Sequence, residues 1–141
     1  MNGYARIIDS YLTQRVMSAS PEQQAALIME AGQMHLGKAI QALAQSDLAA
    51  ATHSFTRFSE VIMEANLRLN HEDGGELVQN LEKYYGWWMK EVMHASYAKD
   101  QARLAAVAAS MGEIRQAWEQ LHEKKVKAES NPTFQFGDQV G

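Results

Sequence analysis

Apolar residues recur along most of the chain at intervals of three and four positions, the spacing that places them on one face of a helix. Four such runs follow one another, beginning near Pro21, Asp47, Glu76 and Asp100. Each spans about 25 residues and the links are short, so consecutive helices are expected to run in opposite directions. The pattern predicts an all-α fold, an antiparallel up-down four-helix bundle. Positions assigned to the buried stripes near the ends of the runs include Leu48, Leu77 and Leu121.

Capping residues mark two of the helix starts. Ser20 is predicted to be the N-cap of the first helix, with Pro21 at its first position, where a missing N–H costs nothing. Gly74 and Gly75 interrupt the pattern between the second and third runs, and both are predicted to adopt positive φ. Glu76 should then lie in the first turn of the third helix, where the helix dipole favours a carboxylate.

Two segments lie outside the four runs. Residues 4–16 read YARIIDSYLTQRV, and their short apolar face predicts a small extra N-terminal helix that packs on the bundle. Residues 129–141 lack periodicity and contain Asn, Pro and Gly, so a flexible C-terminal tail is predicted there. The chain is therefore divided into one helical-bundle domain, residues 1–128, and the tail.

Composition narrows the functional classes. The chain has 141 residues, is 46% hydrophobic and contains no cysteine, so it has enough apolar residues for a core without disulfides or thiolate metal sites. A net charge of −4 without a long basic run argues against nucleic acid as the main partner. No signal peptide and no apolar stretch of about 18 residues is evident. These features predict a cytoplasmic protein with no membrane insertion.

One pair of motifs has metal-ligand spacing. Glu91 and His94, and again Glu119 and His122, follow the Glu-x-x-His pattern that di-iron bundles use. In an antiparallel pair of helices, however, the two motifs would lie about 14 residues apart along the axis, roughly 20 Å. They are therefore interpreted as surface charge, and no metal, cofactor or catalytic group is predicted. His35, which lies within an apolar stripe, is predicted to be a core residue hydrogen-bonded to a neighbour.

Four glycines fall inside the helical runs, although each costs about 1 kcal/mol relative to alanine there. They are Gly32, Gly37, Gly86 and Gly112. Two explanations remain open: close contact between helices, or the floor of a groove that receives the chain of a partner.

The third run places four aromatic residues in five positions. Tyr84 and Trp88 lie on the apolar stripe and are predicted to be core, while Tyr85 lies at its border. Trp87 lies on a polar face of the helix, and exposed Trp and Tyr are the side chains that most often anchor partners. Trp87 is therefore a candidate partner-binding residue.

The same stretch, GGELVQNLEKYYGWWMKEVMHAS, resembles the signature helix of the FliS family of flagellar export chaperones. The residues that match the pattern of that family outright are Gly74, Gly75, Glu76, Asn80, Leu81, Tyr85 and Ala95. Two further motifs are similar in the expected order. Upstream, the matching residues are Tyr11, Val16, Ala19, Ser20 and Pro21; downstream, they are Arg115, Ala117 and Trp118.

The first long helix departs from the family pattern. Gln24 and Ala25 stand where the family has an apolar pair, Met29 stands for an aromatic residue, and Ala31 occupies a glycine position. If this helix helps to line the ligand groove, the departure implies a divergent flagellin or another cargo.

The resemblance implies an antiparallel helical bundle without catalysis. It implies a chaperone that binds the disordered C-terminal segment of flagellin, prevents its premature polymerisation and keeps it competent for type III export. A disordered ligand of this kind needs an extended apolar track, because the cost of ordering it must be offset over a long contact. Methionines along the helices suit such a track, although methionine at helical spacing is more often plain core. The resemblance also suggests that Tyr11 and its neighbours cover part of the groove in the free protein.

The candidate site follows from these arguments. The predicted partner-binding residues are Tyr11, Met17, Met29, Met34, Tyr85 and Trp87. The predicted structural motif comprises Ser20, Pro21, Gly74, Gly75, Glu76, Asn80 and Trp118. Export-apparatus or regulatory proteins are further candidate partners. The alternatives are a chaperone for a different flagellar export substrate, or a metal-binding bundle enzyme.

Overall fold

The computed structural model describes residues 19–129, which form four α-helices and contain no β-strand. The helices are α1, Pro21–Ala44; α2, Leu48–Leu67; α3, Gly75–Ala98; and α4, Gln101–Glu129. The predicted all-α class is confirmed, and the four runs match the four helices. The predicted helix at residues 4–16 lies outside the described residues, as do residues 130–141 of the predicted tail. α4 includes Glu129, the residue at which the tail was predicted to begin.

Side-chain caps fix the starts of α1 and α2. The Ser20 hydroxyl accepts a hydrogen bond from the Gln23 backbone N–H, and the Gln23 side chain accepts one from the Ser20 N–H. Pro21 occupies the first helical position, as predicted. At α2, Asp47 Oδ1 accepts from the Ala50 N–H at 3.1 Å. Each cap satisfies a donor that the helix itself leaves unpaired.

The link between α2 and α3 differs in part from the prediction. Gly75 has a φ of +60°, but Gly74 has a φ of −76°, so the expected positive φ at Gly74 is wrong. The lack of room for a Cβ atom, rather than the backbone φ, requires glycine at position 74. A Cβ there would overlap the Val78 side chain and lie against the Asn70 carbonyl oxygen. Glu76 lies in the first turn of α3, as predicted.

Helix packing is uneven around the fold. α1 has its most extensive contacts with α4 and α2. At Gly32 an added Cβ would meet the Cε of Met111 in α4, and the Gln33 amide donates to the Ala108 carbonyl of α4 at 3.0 Å. α3 packs mainly on α4, and the α2–α3 pairing is the sparsest of the four main helix pairings. The side of the molecule between α2 and α3 is consequently left open.

The aromatic residues of α3 that are buried in the structure are not all those that were predicted to be buried. Trp88 is fully buried, as expected, and its ring centroid lies 5.5 Å from that of Tyr85. Tyr85 is only 4% exposed whereas Tyr84 is 44% exposed, so the assignment of Tyr84 to the core and Tyr85 to the border is wrong. The buried face of α3 passes through Val78, Leu81, Tyr85 and Trp88, so it keeps Leu81 and Trp88 of the predicted stripe but has Val78 and Tyr85 in place of Leu77 and Tyr84.

Three leucines that were assigned to the buried stripes are exposed instead. They are Leu48 at 51%, Leu77 at 55% and Leu121 at 42%. Leu48 and Leu77 lie near the starts of their helices, Leu121 lies eight residues before the end of α4, and each lines a surface depression described below.

Candidate functional site

The open seam between α2 and α3 contains a depression with a volume of about 670 Å³, which we call the main depression of this seam. α2 contributes Phe55, and α3 contributes Met89, Met93 and Tyr97. Of the described residues that line it, Lys90 alone carries a charge. Apolar walls with a few hydroxyls and one cation suit an apolar chain better than a polar small molecule.

Two further depressions continue this seam. The middle one lies between Met63 of α2 and Glu82 of α3, and it shares Gly86 and Met89 with the main depression. The end one shares Tyr85 with the middle one. The residues that line the end depression include Ile28, Met29, Ala65, Leu69, Leu77, Trp118 and Leu121. We call these three depressions together, from Tyr97 to Leu121, the α2–α3 groove; the charged residues Glu82, Glu22 and Arg68 border its middle and end.

Large apolar side chains are exposed along the groove. Tyr97 is 85% exposed, Met63 60% and Met93 52%, and Leu48 and Leu77 lie at its two ends. Single exposed apolar residues are ordinary, but a contiguous series on one surface indicates a binding site. Methionine side chains are flexible and polarisable, so they adapt to the varied side chains of a bound chain.

Both explanations that the sequence left open, close helix contact and a groove floor, apply to some of the helical glycines. Gly32 and Gly112 make close helix contacts, with Met111 and with the Gln33 amide respectively. Gly86, in contrast, would place a Cβ in open space, and it lines both the main and the middle depressions. The absence of a side chain at Gly86 therefore makes the groove deeper at this position. Gly37 is exposed and also meets nothing, so neither explanation applies to it.

Trp87 lies outside the three depressions of the groove. It is 46% exposed and borders a separate depression with Tyr84, Lys83, Asn80 and Ser110, where α3 meets α4. Its predicted role as a partner-binding residue stays a prediction, but any partner there contacts a different surface from the one that the groove presents.

The other predicted partner-binding residues have distinct positions. Met29 is 1% exposed and Tyr85 is 4% exposed, and both form the floor of the end depression. Met34 is half-buried in α1 and lines none of the three depressions. Tyr11 and Met17 lie outside the described residues.

The structural-motif residues tie the helix ends together. Ser20 caps α1 and its hydroxyl also lies 2.9 Å from Nδ1 of His122 in α4. Trp118 is half-buried against the core and lines the end depression. Asn80 is exposed on the α4 side of α3.

Sequence reasoning missed Tyr97 and Phe55 as groove residues. Tyr97 falls off the buried stripe, and its signal was its position four residues after Met93 on the same face of the helix. Phe55 lies on the stripe of α2 and was assigned to the core, but it also faces the main depression.

Three residues of the two Glu-x-x-His motifs, Glu91, Glu119 and His122, have other partners. Arg103 forms a bidentate pair with Glu91, at 2.9 and 2.8 Å, and this pair lowers the pKa of the Glu91 carboxyl. Glu119 lies 3.6 Å from Arg115, and His122 contacts Ser20. Within residues 19–129, no three His, Asp or Glu side chains form a group that could hold a metal ion.

His35 is buried as predicted, but its expected hydrogen bond is incomplete. Its Nε2 has no hydrogen-bond partner among the described residues. Burial lowers the pKa of His35 to about 4, and the nearby cations Lys38 and Arg57 act in the same direction. The imidazole is therefore neutral at pH 7 and serves as a packing residue between α1 and α2.

A comparison of the chain with models of known protein families identifies its family. The model of the family described as Flagellar protein FliS matches residues 4–125 of the chain. The chain belongs to the FliS family.

Similar FliS proteins come from three bacteria. The chain is 28% identical over 116 residues to the flagellar secretion chaperone FliS of Salmonella typhimurium, covering 82% of this chain and 86% of the relative. It is 24% identical over 122 residues to FliS of Vibrio cholerae, covering 86% and 87%. It is 25% identical over 105 residues to the flagellar secretion chaperone FliSB of Pseudomonas aeruginosa, covering 74% and 83%. These FliS relatives are named as chaperones, not as enzymes.

Within the described residues, none of the helices has the length and apolar character needed to span a membrane.

Proposed function

We propose that this FliS-family chain is a cytoplasmic export chaperone that binds the disordered C-terminal segment of flagellin in the α2–α3 groove. Binding there prevents premature polymerisation and keeps flagellin competent for type III export. The observation that carries the proposal is the series of depressions with exposed apolar side chains along the α2–α3 seam, because a folded chain rarely leaves so many large apolar side chains together on its surface.

The dimensions of the groove suit a long ligand. It follows α3 from Tyr97 back to Leu77, a span of 20 residues and so about 30 Å at 1.5 Å per residue. A ligand helix of similar length would lay one apolar face along the groove, the recognition mode of amphipathic helices in hydrophobic grooves. Such a long contact offsets the entropy that a disordered segment loses when it binds.

Contacts between helix ends support the antiparallel bundle that this role requires. Ser20 near the start of α1 contacts His122 near the end of α4, while Gln33 contacts Ala108 farther back. The α2–α3 groove likewise pairs Leu48 at the start of α2 with Tyr97 near the end of α3. These pairings support an up-down course of the four helices.

The groove has a stable floor and adaptable walls. Met29 and Tyr85 are buried residues that shape the floor, whereas Met63 and Met93 are exposed and meet the ligand directly. The cover predicted from Tyr11 and its neighbours lies outside the described residues and stays a prediction, as does the role of Met17.

Calorimetric titration with a peptide of the flagellin C-terminal segment tests the proposal. We expect Met63→Glu and Met93→Glu, made together, to raise the Kd at least about tenfold, equivalent to about 1.4 kcal/mol. Each exposed position accepts a charge in the free protein, but a bound apolar face would bury that charge.

Leu67→Glu is the matched control. Leu67 is 75% exposed but does not line the groove, so its replacement adds one negative charge outside the groove and should leave the Kd within about twofold. Circular dichroism melting checks that all variants fold. Equal losses of affinity in the groove and control variants, or no binding by the unaltered chain, would reject the groove as the flagellin site.

A further inference from the structure

The outward face of α3 carries a straight series of side chains that is distinct from the groove. Lys83, Trp87, Lys90 and His94 follow one another at spacings of four, three and four residues, which aligns them along the helix. All four are exposed. We call them the outer strip of α3.

The cations of the outer strip have no internal partners. Neither Lys83 nor Lys90 forms an ion pair within residues 19–129. The nearby Glu91 is held by two hydrogen bonds from Arg103, so its carboxylate is neutralised. The strip is therefore a local concentration of positive charge on a chain whose net charge is −4.

An apolar anchor point lies between these cations. Trp87 is 46% exposed and Tyr84 beside it is 44% exposed, and with Ser110 they border a depression of about 680 Å³. The ring of Trp88, which donates a hydrogen bond to Ser110, lies 6.0 Å from that of Tyr84, so a buried and oriented side chain supports one of the two exposed rings. A rigid aromatic residue with charges around it is the usual composition of a binding hot spot.

From this juxtaposition we propose that the outer strip of α3 is a second docking surface, and that it binds an acidic segment of a partner protein. An apolar side chain of that segment packs on Trp87, and carboxylates on either side of it meet Lys83 and Lys90. The overall negative charge of the chain repels an acidic partner elsewhere and directs it to the strip.

The spacing of the cations defines the partner further. Lys83 and Lys90 are seven residues apart, so their Cα atoms are separated by about 10 Å along the helix. Two carboxylates seven residues apart on a partner helix match this distance, with the apolar residue midway. Two lysines are too few for nucleic acid, whose binding relies on neutralising many phosphates.

The surface is separate from cargo binding except at one residue. Lys90 belongs to the strip and also lines the main depression of the groove. Lys83 and Trp87 line only the separate depression beside Tyr84 and Ser110. The proposal concerns a different partner from flagellin and holds whether or not the groove binds flagellin.

A peptide titration followed by NMR tests the proposal. The probe is a synthetic helical peptide of about 15 residues, built on alanine and glutamine, with glutamates seven residues apart and a leucine between them. The indole N–H signals of Trp87, Trp88 and Trp118 report separately on the strip, the core and the end of the groove. We expect the Trp87 signal to shift most, and the affinity to fall with added salt.

Variants of the chain and a control peptide test whether binding depends on Lys83, on Trp87 and on the negative charge of the peptide. Lys83→Glu should weaken binding at least about fivefold, Lys83→Arg should retain it, and Trp87→Ala should abolish detectable saturation. The same peptide with lysines in place of its glutamates should not shift the Trp87 signal.

Three results would overturn the proposal. The first is equal binding of the acidic and basic peptides, and the second is binding of the acidic peptide that Lys83→Glu leaves unchanged. The third is a concentration-dependent dimer, seen by sedimentation, that Trp87→Ala dissociates, because the strip would then receive a second copy of this chain.

Discussion

The indole Nε1 of Trp88 in α3 donates a 2.9 Å hydrogen bond to the hydroxyl of Ser110 in α4. Trp88 is fully buried, and α3 is attached to the rest of the fold mainly through α4. This bond therefore orients the helix that supplies one wall of the groove.

Ser110→Ala should lower the free energy of unfolding by about 1–2 kcal/mol, because it leaves the buried indole N–H without an acceptor. Trp88→Ala should cost about 3–5 kcal/mol, since it also removes the largest fully buried side chain. Urea denaturation measures both values. In a Trp88→Phe background the donor is already absent, so Ser110→Ala should then cost clearly less; equal costs in both backgrounds would contradict the role given to the bond.

Gly74 and Gly75 should tolerate substitution differently. Gly74→Ala should destabilise by about 2 kcal/mol, because its Cβ would overlap Val78. Gly75→Ala should cost about 1 kcal/mol, because φ is +60° but the surrounding space is open. Gly75→Asn should cost less than Gly75→Ala, since asparagine accepts the left-handed conformation. Thermal melting ranks the three variants, and a Gly74→Ala protein as stable as the unaltered chain would show that Val78 can move aside.

His35 should make stability depend on pH. Its pKa of about 4 lies below the unfolded value of about 6.5, so its contribution is fully present above pH 6.5 and is lost as the pH falls towards 4. The loss between pH 7 and pH 4 should be about 3 kcal/mol. Lys38, Arg57 and His53 lower this pKa further, while Glu60 opposes them.

Urea denaturation of the unaltered chain and of His35→Gln at several pH values isolates this contribution from that of the carboxylates. The difference in unfolding free energy between the two proteins should narrow as the pH falls. His94→Gln, at an exposed position in α3 that is not among the groups shifting the pKa of His35, is the matched control for the loss of a histidine. A constant difference across the pH range would mean that His35 does not titrate as its burial requires.

Gly86 and Gly37 offer a matched pair, since both are exposed helical glycines with open space around the Cβ position. Replacing either by leucine should raise the unfolding free energy by up to about 1 kcal/mol through helix propensity. Only Gly86→Leu places a side chain in the groove, so it alone should weaken binding of the flagellin C-terminal peptide. Loss of affinity in Gly37→Leu, or none in Gly86→Leu, would exclude Gly86 as part of the binding floor.

Periodicity and capping chemistry predicted the four helices to within a few residues. Ser20 and Asp47 act through local hydrogen bonds and Pro21 through its fixed φ, so their roles could be deduced from short stretches of sequence. The choice between Tyr84 and Tyr85 was beyond this reasoning, because a rotation of the helix by a fraction of a residue decides which of these adjacent rings faces the core. That rotation depends on how α3 sits on α4, a relationship that no single helix encodes.

The site was harder to predict than the fold for a related reason. An apolar position predicts burial but does not distinguish a core from a groove. Leu48, Leu77 and Leu121 continue the buried stripes in sequence, yet they lie where neighbouring helices no longer cover them. An apolar stripe that extends past the core is therefore the sequence signal of the groove, and it becomes readable only once the helix ends are placed in space.

The sparse pairing of α2 with α3 has a consequence for local opening. A helix with few tertiary contacts separates from its neighbours at a lower free energy than the global unfolding free energy. Amide protons of α3 on the side facing α2 should accordingly exchange with solvent faster than those of α1, which packs on two helices. A ligand lodged along the seam would supply the missing contacts, so it would slow exchange in α2 and α3 far more than in α1. The pairing of α2 with α3, which has the fewest contacts in the free protein, would then gain the most stability from a bound ligand.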